Sequence, residues 1–168
     1  MIESAPPLVI CDAGPVIHLD ELGCVDLLSS FARVLIPVAV WQEVQRHRPK
    51  AIALPCLEKI SATKPEPPEL ESVAVALSLH TGEWEAIRVA LEYPSSVLLT
   101  DDTAARLAAG SLGIRVHGTI GVLVRSVRQG LRTKANVLDV LRSIPTCSTL
   151  HIKRSLLESV IKLVDGHS

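Results

Sequence analysis

Five carboxylates at element boundaries are the residues through which this chain could do chemistry. Leu8-Val9-Ile10-Cys11 is an apolar run that ends in Asp12, and Val97-Leu98-Leu99-Thr100 ends in the adjacent pair Asp101-Asp102. Glu43 falls in the second turn of a helix expected after Pro37, and Glu83 in the first turn of one expected after Thr81-Gly82. Open α/β sheets build their sites where an apolar strand ends and turns into a helix, outside the carboxyl ends of the strands. If the strands at 8–11 and 97–100 are parallel neighbours, Asp12 meets Asp101 and Asp102. Each acid has a plainer use: Asp12 or one of the pair as a helix N-cap, Glu83 as a first-turn acid answering the helix dipole, Glu43 as a surface residue. Capping occupies only one of the pair, and an acid beside an acid is costly without a cation. Several carboxylates meeting at one edge would repel at neutral pH. Hard divalent cations such as Mg²⁺ relieve this through oxygen ligands, and two such ions can assist phosphodiester cleavage.

The elements that would position these acids alternate between strand and helix. Strands are expected at 8–11, 34–36, 97–100 and 114–116; the run at 8–11 is apolar without alternation, as in a strand covered on both faces. Helices are expected at 16–22, 25–31, 38–44, 69–79, 83–93, 103–112, 118–128 and 134–142, with a last one ending near Val164. Gly23, Gly113 and Pro94 act as stops. The stretch from about 51 to 63 is ambiguous, 64–68 reads as a loop, and a strand is placed near Leu150. The pattern predicts a parallel sheet with helices on both faces.

Length and composition fit one domain. The 168 residues are 48% hydrophobic but only 2% aromatic, so the core must be aliphatic, and aromatic stacking of single strands is disfavoured. No apolar run is long enough to span a membrane, and Met1–Pro7 has no signal-peptide character. Cys11, Cys24, Cys56 and Cys147 form no metal spacing and read as reduced thiols of a cytoplasmic protein. The net charge of −1 conceals an asymmetry: residues 1–102 carry 7 Lys and Arg against 15 Asp and Glu, and residues 103–168 carry 10 against 3. Two differently solvated faces would explain this, as would an acidic metal pocket beside a basic rim. The basic candidates are Arg46, Arg48 and Lys50 after Glu43, Arg106 one turn past Asp102, and the late group Arg125, Arg128, Arg132 and Lys134. Such groups hold phosphates without reading sequence, although a solvated surface or a salt bridge is their ordinary role. Of the histidines, only His18 lies near the Asp12 turn.

The ordered set of motifs resembles the PIN domain. Val9-Ile10-Cys11-Asp12-Ala13-Gly14-Pro15-Val16-Ile17-His18-Leu19 is similar to the family's opening. Ile36-Pro37-Val38-Ala39-Val40-Trp41-Gln42-Glu43-Val44 is similar to its second acidic segment, Gly82-Glu83-Trp84-Glu85-Ala86 to its third, and Leu99-Thr100-Asp101-Asp102 with Arg106 to its fourth. Gly118-Thr119-Ile120-Gly121-Val122-Leu123 resembles a prokaryotic PIN-like subgroup related to VapC toxins. The resemblance covers about 8–130. It implies a three-layer α/β/α domain with a parallel sheet of four to five short strands and a helical extension at about 131–168. It also implies a ribonuclease dependent on Mg²⁺ or Mn²⁺, commonly the toxin of a toxin–antitoxin pair and a homodimer. By position, Asp12, Glu43, Glu83 and Asp102 would be the metal-binding, catalytic acids, with Asp101 an adjacent candidate ligand. Two departures stand out: Gly14 occupies a position where many relatives have Ser or Thr, and the third acid is Glu83 where Asp is frequent.

Other classes match less well. There is no P-loop or dinucleotide fingerprint. A phosphorelay receiver would have paired acids after its first strand, and a haloacid-type phosphatase a second Asp at Gly14. The alternative from another class is a catalytically silent PIN-like module that binds RNA or protein, which Gly14 favours and the four intact acids disfavour.

Overall fold

A computed structural model describes residues 6–166. Most of the Met1–Pro7 segment read above for a signal lies outside them. Five strands form one parallel sheet: β1 (Leu8–Cys11), β2 (Arg33–Pro37), β3 (Leu57–Ile60), β4 (Val97–Leu99) and β5 (Arg115–His117), in the order β3-β2-β1-β4-β5. The helices are α1 (Ala13–Glu21), α2 (Val38–His47), α3 (Pro68–Ala76), α4 (Thr81–Glu92), α5 (Thr103–Ser111), α6 (Thr119–Arg128), α7 (Lys134–Cys147) and α8 (Arg154–Gly166).

The apolar strand runs are explained by burial on both faces. Along β1, Val9 and Cys11 enter one core while Ile10 enters the other. Leu35 and Leu98 join Ile10, whereas Val34, Ile36, Val97 and Leu99 join Val9. One core contains Val16 and Leu19 of α1, Leu123 of α6, and Leu141, Ile144, Leu157 and Val164 of α7 and α8. The other is closed by α4 and α5, largely through small side chains such as Ala86, Ala90, Ala108 and Ala109. The result is the three-layer α/β/α arrangement expected from the sequence.

Three local readings differ. Residues 57–60 form edge strand β3 although Glu58 and Lys59 are exposed; an edge strand tolerates charges that a central one does not. Val25–Ser30 is a 3₁₀ helix. No strand occurs near Leu150; residues 148–153 run irregularly from α7 to α8. Their conformation is fixed by Glu21, whose carboxylate accepts from Ser148 Oγ (2.8 Å), the Thr149 amide (2.7 Å) and Thr149 Oγ1 (3.0 Å). A helix-borne carboxylate thus takes the hydrogen bonds that a sheet neighbour would have supplied.

Candidate active site

The central pair β1 and β4 is in register, Cys11 opposite Leu99, so both strands end at the same level. The Asp12 amide donates to the Leu99 carbonyl (2.9 Å), extending the ladder to the first acid. Asp12 also caps α1. Its Oδ1 accepts from the Ala13 amide and its Oδ2 from Thr100 Oγ1, both at 2.8 Å. Only 6% of Asp12 is exposed. Burial pushes its carboxyl up to about 7; the bonds from Thr100 and Ala13 oppose the rise, while the Glu83 and Glu43 charges add to it.

The adjacent acids on the β4 side divide their work. Asp102 caps α5, its Oδ1 accepting from the Ala105 amide (2.8 Å) and leaving the other oxygen without a protein donor among the described residues. Asp101 turns aside. It accepts from His18 Nδ1 (2.7 Å), the Thr119 amide (2.7 Å) and Thr119 Oγ1 (2.5 Å), tying the β4–α5 junction to α1 and to the start of α6. Gly118 is required for this close approach: a Cβ there would stand 2.5 Å from Asp101 Oδ1 and 3.2 Å from the Thr100 carbonyl. Its φ of −130° is open to any residue, so the constraint is steric. Gly118→Ala is expected to cost about 1–3 kcal/mol in urea unfolding, as overpacking does, because Asp101 cannot retreat without breaking its bonds to Thr119.

Glu43 and Glu83 come from the two helices packed over the carboxyl ends of β2 and β1. The Ala39 amide donates to Glu85 Oε2 (2.9 Å), tying the start of α2 to α4. Glu83 forms a capping box with His80, its Oε2 accepting from the His80 amide (2.8 Å). Burial raises the Glu83 carboxyl above its ordinary range; the His80 amide opposes this, and Asp102 and Glu43 add to it. Gly82 is buried between the acids. A Cβ there would lie 3.5 Å from Glu43 Oε2, 3.9 Å from Asp12 Oδ1 and 3.3 Å from Val40, so the missing side chain leaves room where two carboxylates approach.

All five acids line one cavity of about 840 Å³, together with Gly14, His18 and Arg46. Sequence reasoning did not foresee several other members of this wall. Thr100, buried behind the wall, orients Asp12, and the only signal for it is a hydroxyl immediately before the paired acids. His47 and His80 line the cavity, as do Thr149, Leu150 and His151, which the bond from the Thr149 amide to Glu21, 128 residues away in sequence, brings across.

The other basic candidates disperse. Arg48 lies 3.5 Å from both Asp20 and Glu21, and Arg132 pairs with Asp26 at 2.5 Å. Lys134 donates to the Asp165 carbonyl, and Lys50 is exposed on the loop after α2. Arg106 donates to the Thr100 carbonyl (3.0 Å) behind the acids. Arg125 packs over Phe31 and, with Arg128, lines a second cavity.

Carboxylate oxygens are the donors that hard divalent cations take, and acids whose charges raise one another's proton affinity are the setting such a cation relieves. The residues therefore fit Mg²⁺ or Mn²⁺ in donor type and charge. They do not form a closed ligand shell: among the described residues, no three Asp, Glu, His or Cys side chains are gathered closely enough to hold an ion as they stand.

The three-layer α/β/α domain with its five-strand parallel sheet collects its acids at the carboxyl edge, where open α/β sheets build ligand sites. The family model described as PIN domain matches residues 8–166, and the chain belongs to the PIN-domain family. The match runs through α7 and α8. PIN domains are generally nucleases and typically use divalent metals. Among curated proteins none matches the chain. No helix among the described residues is long and apolar enough to cross a membrane.

Proposed function

We propose that this chain is a metal-dependent endoribonuclease that hydrolyses RNA phosphodiester bonds, and that it serves as the toxin of a toxin–antitoxin pair. The observation that carries the nuclease reading is the convergence of Asp12, Glu43, Glu83 and Asp102 on one cavity at the carboxyl edge of a PIN-domain sheet. The toxin role, an antitoxin partner and a homodimeric state rest on the resemblance to VapC-like proteins alone.

In this reading Asp12 and Asp102 anchor Mg²⁺ or Mn²⁺, while Glu43 and Glu83 complete or orient its shell. The bound ion supplies positive charge that polarises the phosphodiester and acidifies the attacking water. Asp12 is held ready by Ala13 and Thr100, so its carboxylate need not be ordered when substrate arrives. Asp102 and Glu83 each commit one oxygen to a helix-capping amide and keep the other for ligand or water. Arg46 stands on the cavity wall, where its positive charge would meet the phosphate, and His47 lines the same wall. Asp101, bound by three donors, acts as a positioning residue for Asp102.

A catalytically silent module is the second reading. Gly14 favours it, because the hydroxyl that many relatives carry there is missing. The test is cleavage of a mixed, structured RNA by purified protein with Mn²⁺, Mg²⁺ or EDTA. Metal-dependent cutting that falls at least about 100-fold in Asp12→Asn supports the enzyme, a loss in keeping with the size of metal-assisted steps. Wild-type protein that binds Mn²⁺ and RNA but cuts nothing supports the silent module.

A further inference from the structure

The second cavity lies away from the acids and shares no lining residue with their cavity. It holds about 620 Å³ and is formed where β4, β5, α6 and α8 meet. Its floor is aliphatic, with Val97, Leu99 and Ile120 on it, while Arg115, Arg125 and Arg128 supply its charge. No carboxylate lines it among the described residues. Elsewhere Arg33, Arg48, Arg132 and Arg154 each have a carboxylate partner.

The cationic groups of this cavity are held in place without being neutralised. Arg125 donates to Ser30 Oγ (2.7 Å) and to the Ser30 carbonyl (3.3 Å), and its guanidinium lies 4.3 Å from the Phe31 ring centre. Arg115 donates to the Ser95 carbonyl. Those partners are neutral, so both side chains are fixed with their charge intact. Arg128 is exposed and has no ion pair among the described residues. The groups are close enough to repel: burial and then Arg106, Arg128 and Arg115 lower the His117 proton affinity, and burial and then Arg128 lower that of Arg125. Arg106 connects the two regions. It donates to the Thr100 carbonyl beside Asp101, and its charge is felt at His117 on the rim of the second cavity.

We propose that this cavity is a second contact for single-stranded RNA. A backbone phosphate sits among Arg115, Arg125 and Arg128, its base lies on the aliphatic floor, and the strand passes Arg106 on its way to the acidic cavity. The inference rests on the ribonuclease reading for its choice of ligand, and deepens it by placing part of the substrate away from the acids. Like charges held together by neutral partners are relieved by an anion, and phosphate matches the forked guanidinium. An apolar floor beside that charge suits a ligand with a planar, weakly polar body. Such a contact sets position along the strand without reading its sequence.

The test measures binding of a short fluorescent single-stranded RNA to wild-type protein in EDTA, where metal-dependent cleavage is suppressed. The comparison is with Arg128→Glu, Arg115→Glu and a control reversal on the opposite face of the sheet, Lys64→Glu. Thermal unfolding checks that each variant is folded. The expected result is about 10-fold weaker binding for either arginine variant, a log–log salt slope smaller by about one or more, and little change for the control. Adenosine monophosphate and a poly-glutamate peptide serve as competitors. Competition by RNA far exceeding that of either supports a strand site. The proposal is overturned if wild-type protein does not bind RNA, if both arginine variants bind as wild type does, if the mononucleotide competes as well as RNA, or if poly-glutamate does. Loss of binding in the variants of a protein that cleaves nothing would leave this contact standing and reject the ribonuclease reading. Cleavage with unchanged binding in the variants would do the reverse.

Discussion

Asp12→Asn should make the metal-free protein harder to unfold at about pH 8, although it removes a residue placed at the centre of the site. Asp12 is almost wholly buried, and its carboxyl is raised from 3.8 to about 7. A raised carboxyl pKa means that the folded state binds the proton more tightly than the unfolded chain. Between about pH 4 and 7 the unfolded chain has released this proton and the folded protein still holds it, so stability falls as pH rises and levels off above about 7. At about 1.4 kcal/mol per pKa unit, the ionised Asp12 costs the metal-free fold about 4 kcal/mol at most. Asparagine cannot ionise. It keeps an oxygen for the Ala13 amide and presents an amide to Thr100 Oγ1, which can accept as well as donate. The variant should therefore gain about 2–4 kcal/mol over wild type in urea unfolding at pH 8, and almost nothing at pH 4. Glu83, raised for the same reasons, adds to the same slope in both proteins. If Mn²⁺ binds where proposed, it should raise the wild-type melting temperature at pH 8 far more than that of Asp12→Asn, because ligand stabilisation follows occupancy. Equal stability of variant and wild type at pH 8 would show that Asp12 is not held against its own ionisation.

This cost also explains why the site could be read from the sequence when its supports could not. A buried carboxylate at a strand end has few structural uses, so Asp12 stands out beside Val9, Ile10 and Cys11. The strands that carry the acids are legible for a related reason: covered on both faces, Val34-Leu35-Ile36 and Val97-Leu98-Leu99 have no polar residue to confuse the pattern. Strand β3 escaped because an edge position relaxes that demand, and Glu58 with Lys59 leaves the stretch ambiguous. The segment around Leu150 misled in the opposite direction. Its apolar residues pack on the main core without strand geometry, because Glu21 satisfies the Ser148 and Thr149 donors. The charges were least legible. Arg132 looks like Arg128 in sequence, yet one meets Asp26, 106 residues away, and the other does not. Pairing across such separations depends on topology, and composition carries no trace of it. The same holds for the Asp101 carboxylate, which adjacency made a candidate ligand alongside Asp102.

Asp101→Ala should therefore behave as the opposite of its counterpart on β1. Asp101 is 11% exposed and His18 14%, and the carboxylate accepts three bonds, two of them from Thr119, which is fully buried. Truncation leaves the Thr119 amide, its hydroxyl and His18 Nδ1 without their acceptor. It also loosens the start of α6 and the β4–α5 junction together. Leaving one buried group without its partner costs about 1–3 kcal/mol, and with three donors stranded the loss should be about 3–5 kcal/mol, as for a broken buried ion pair. Asp101→Asn, which keeps the shape and one acceptor, should lose roughly half of that. Stability alone would not separate a positioning residue from a ligand, so the decisive reading is the Mn²⁺ affinity of the folded fraction. With Asp101 occupied by His18 and Thr119, and with Asn keeping its shape and one acceptor, Asp101→Asn should bind Mn²⁺ within about threefold of wild type, whereas Asp102→Asn, which removes a proposed ligand, should lose about 10-fold or more, or about 1.4 kcal/mol of binding. A matching loss of Mn²⁺ affinity in both would mean that the carboxylate leaves His18 and Thr119 to bind the ion. The β4–α5 junction would then have to rearrange on loading, and hydrogen exchange at the Thr119 amide would speed up in the presence of Mn²⁺. Retained affinity in Asp101→Asn would leave Asp102 as the ligand at this end of β4, held in place by a neighbour that never touches the metal.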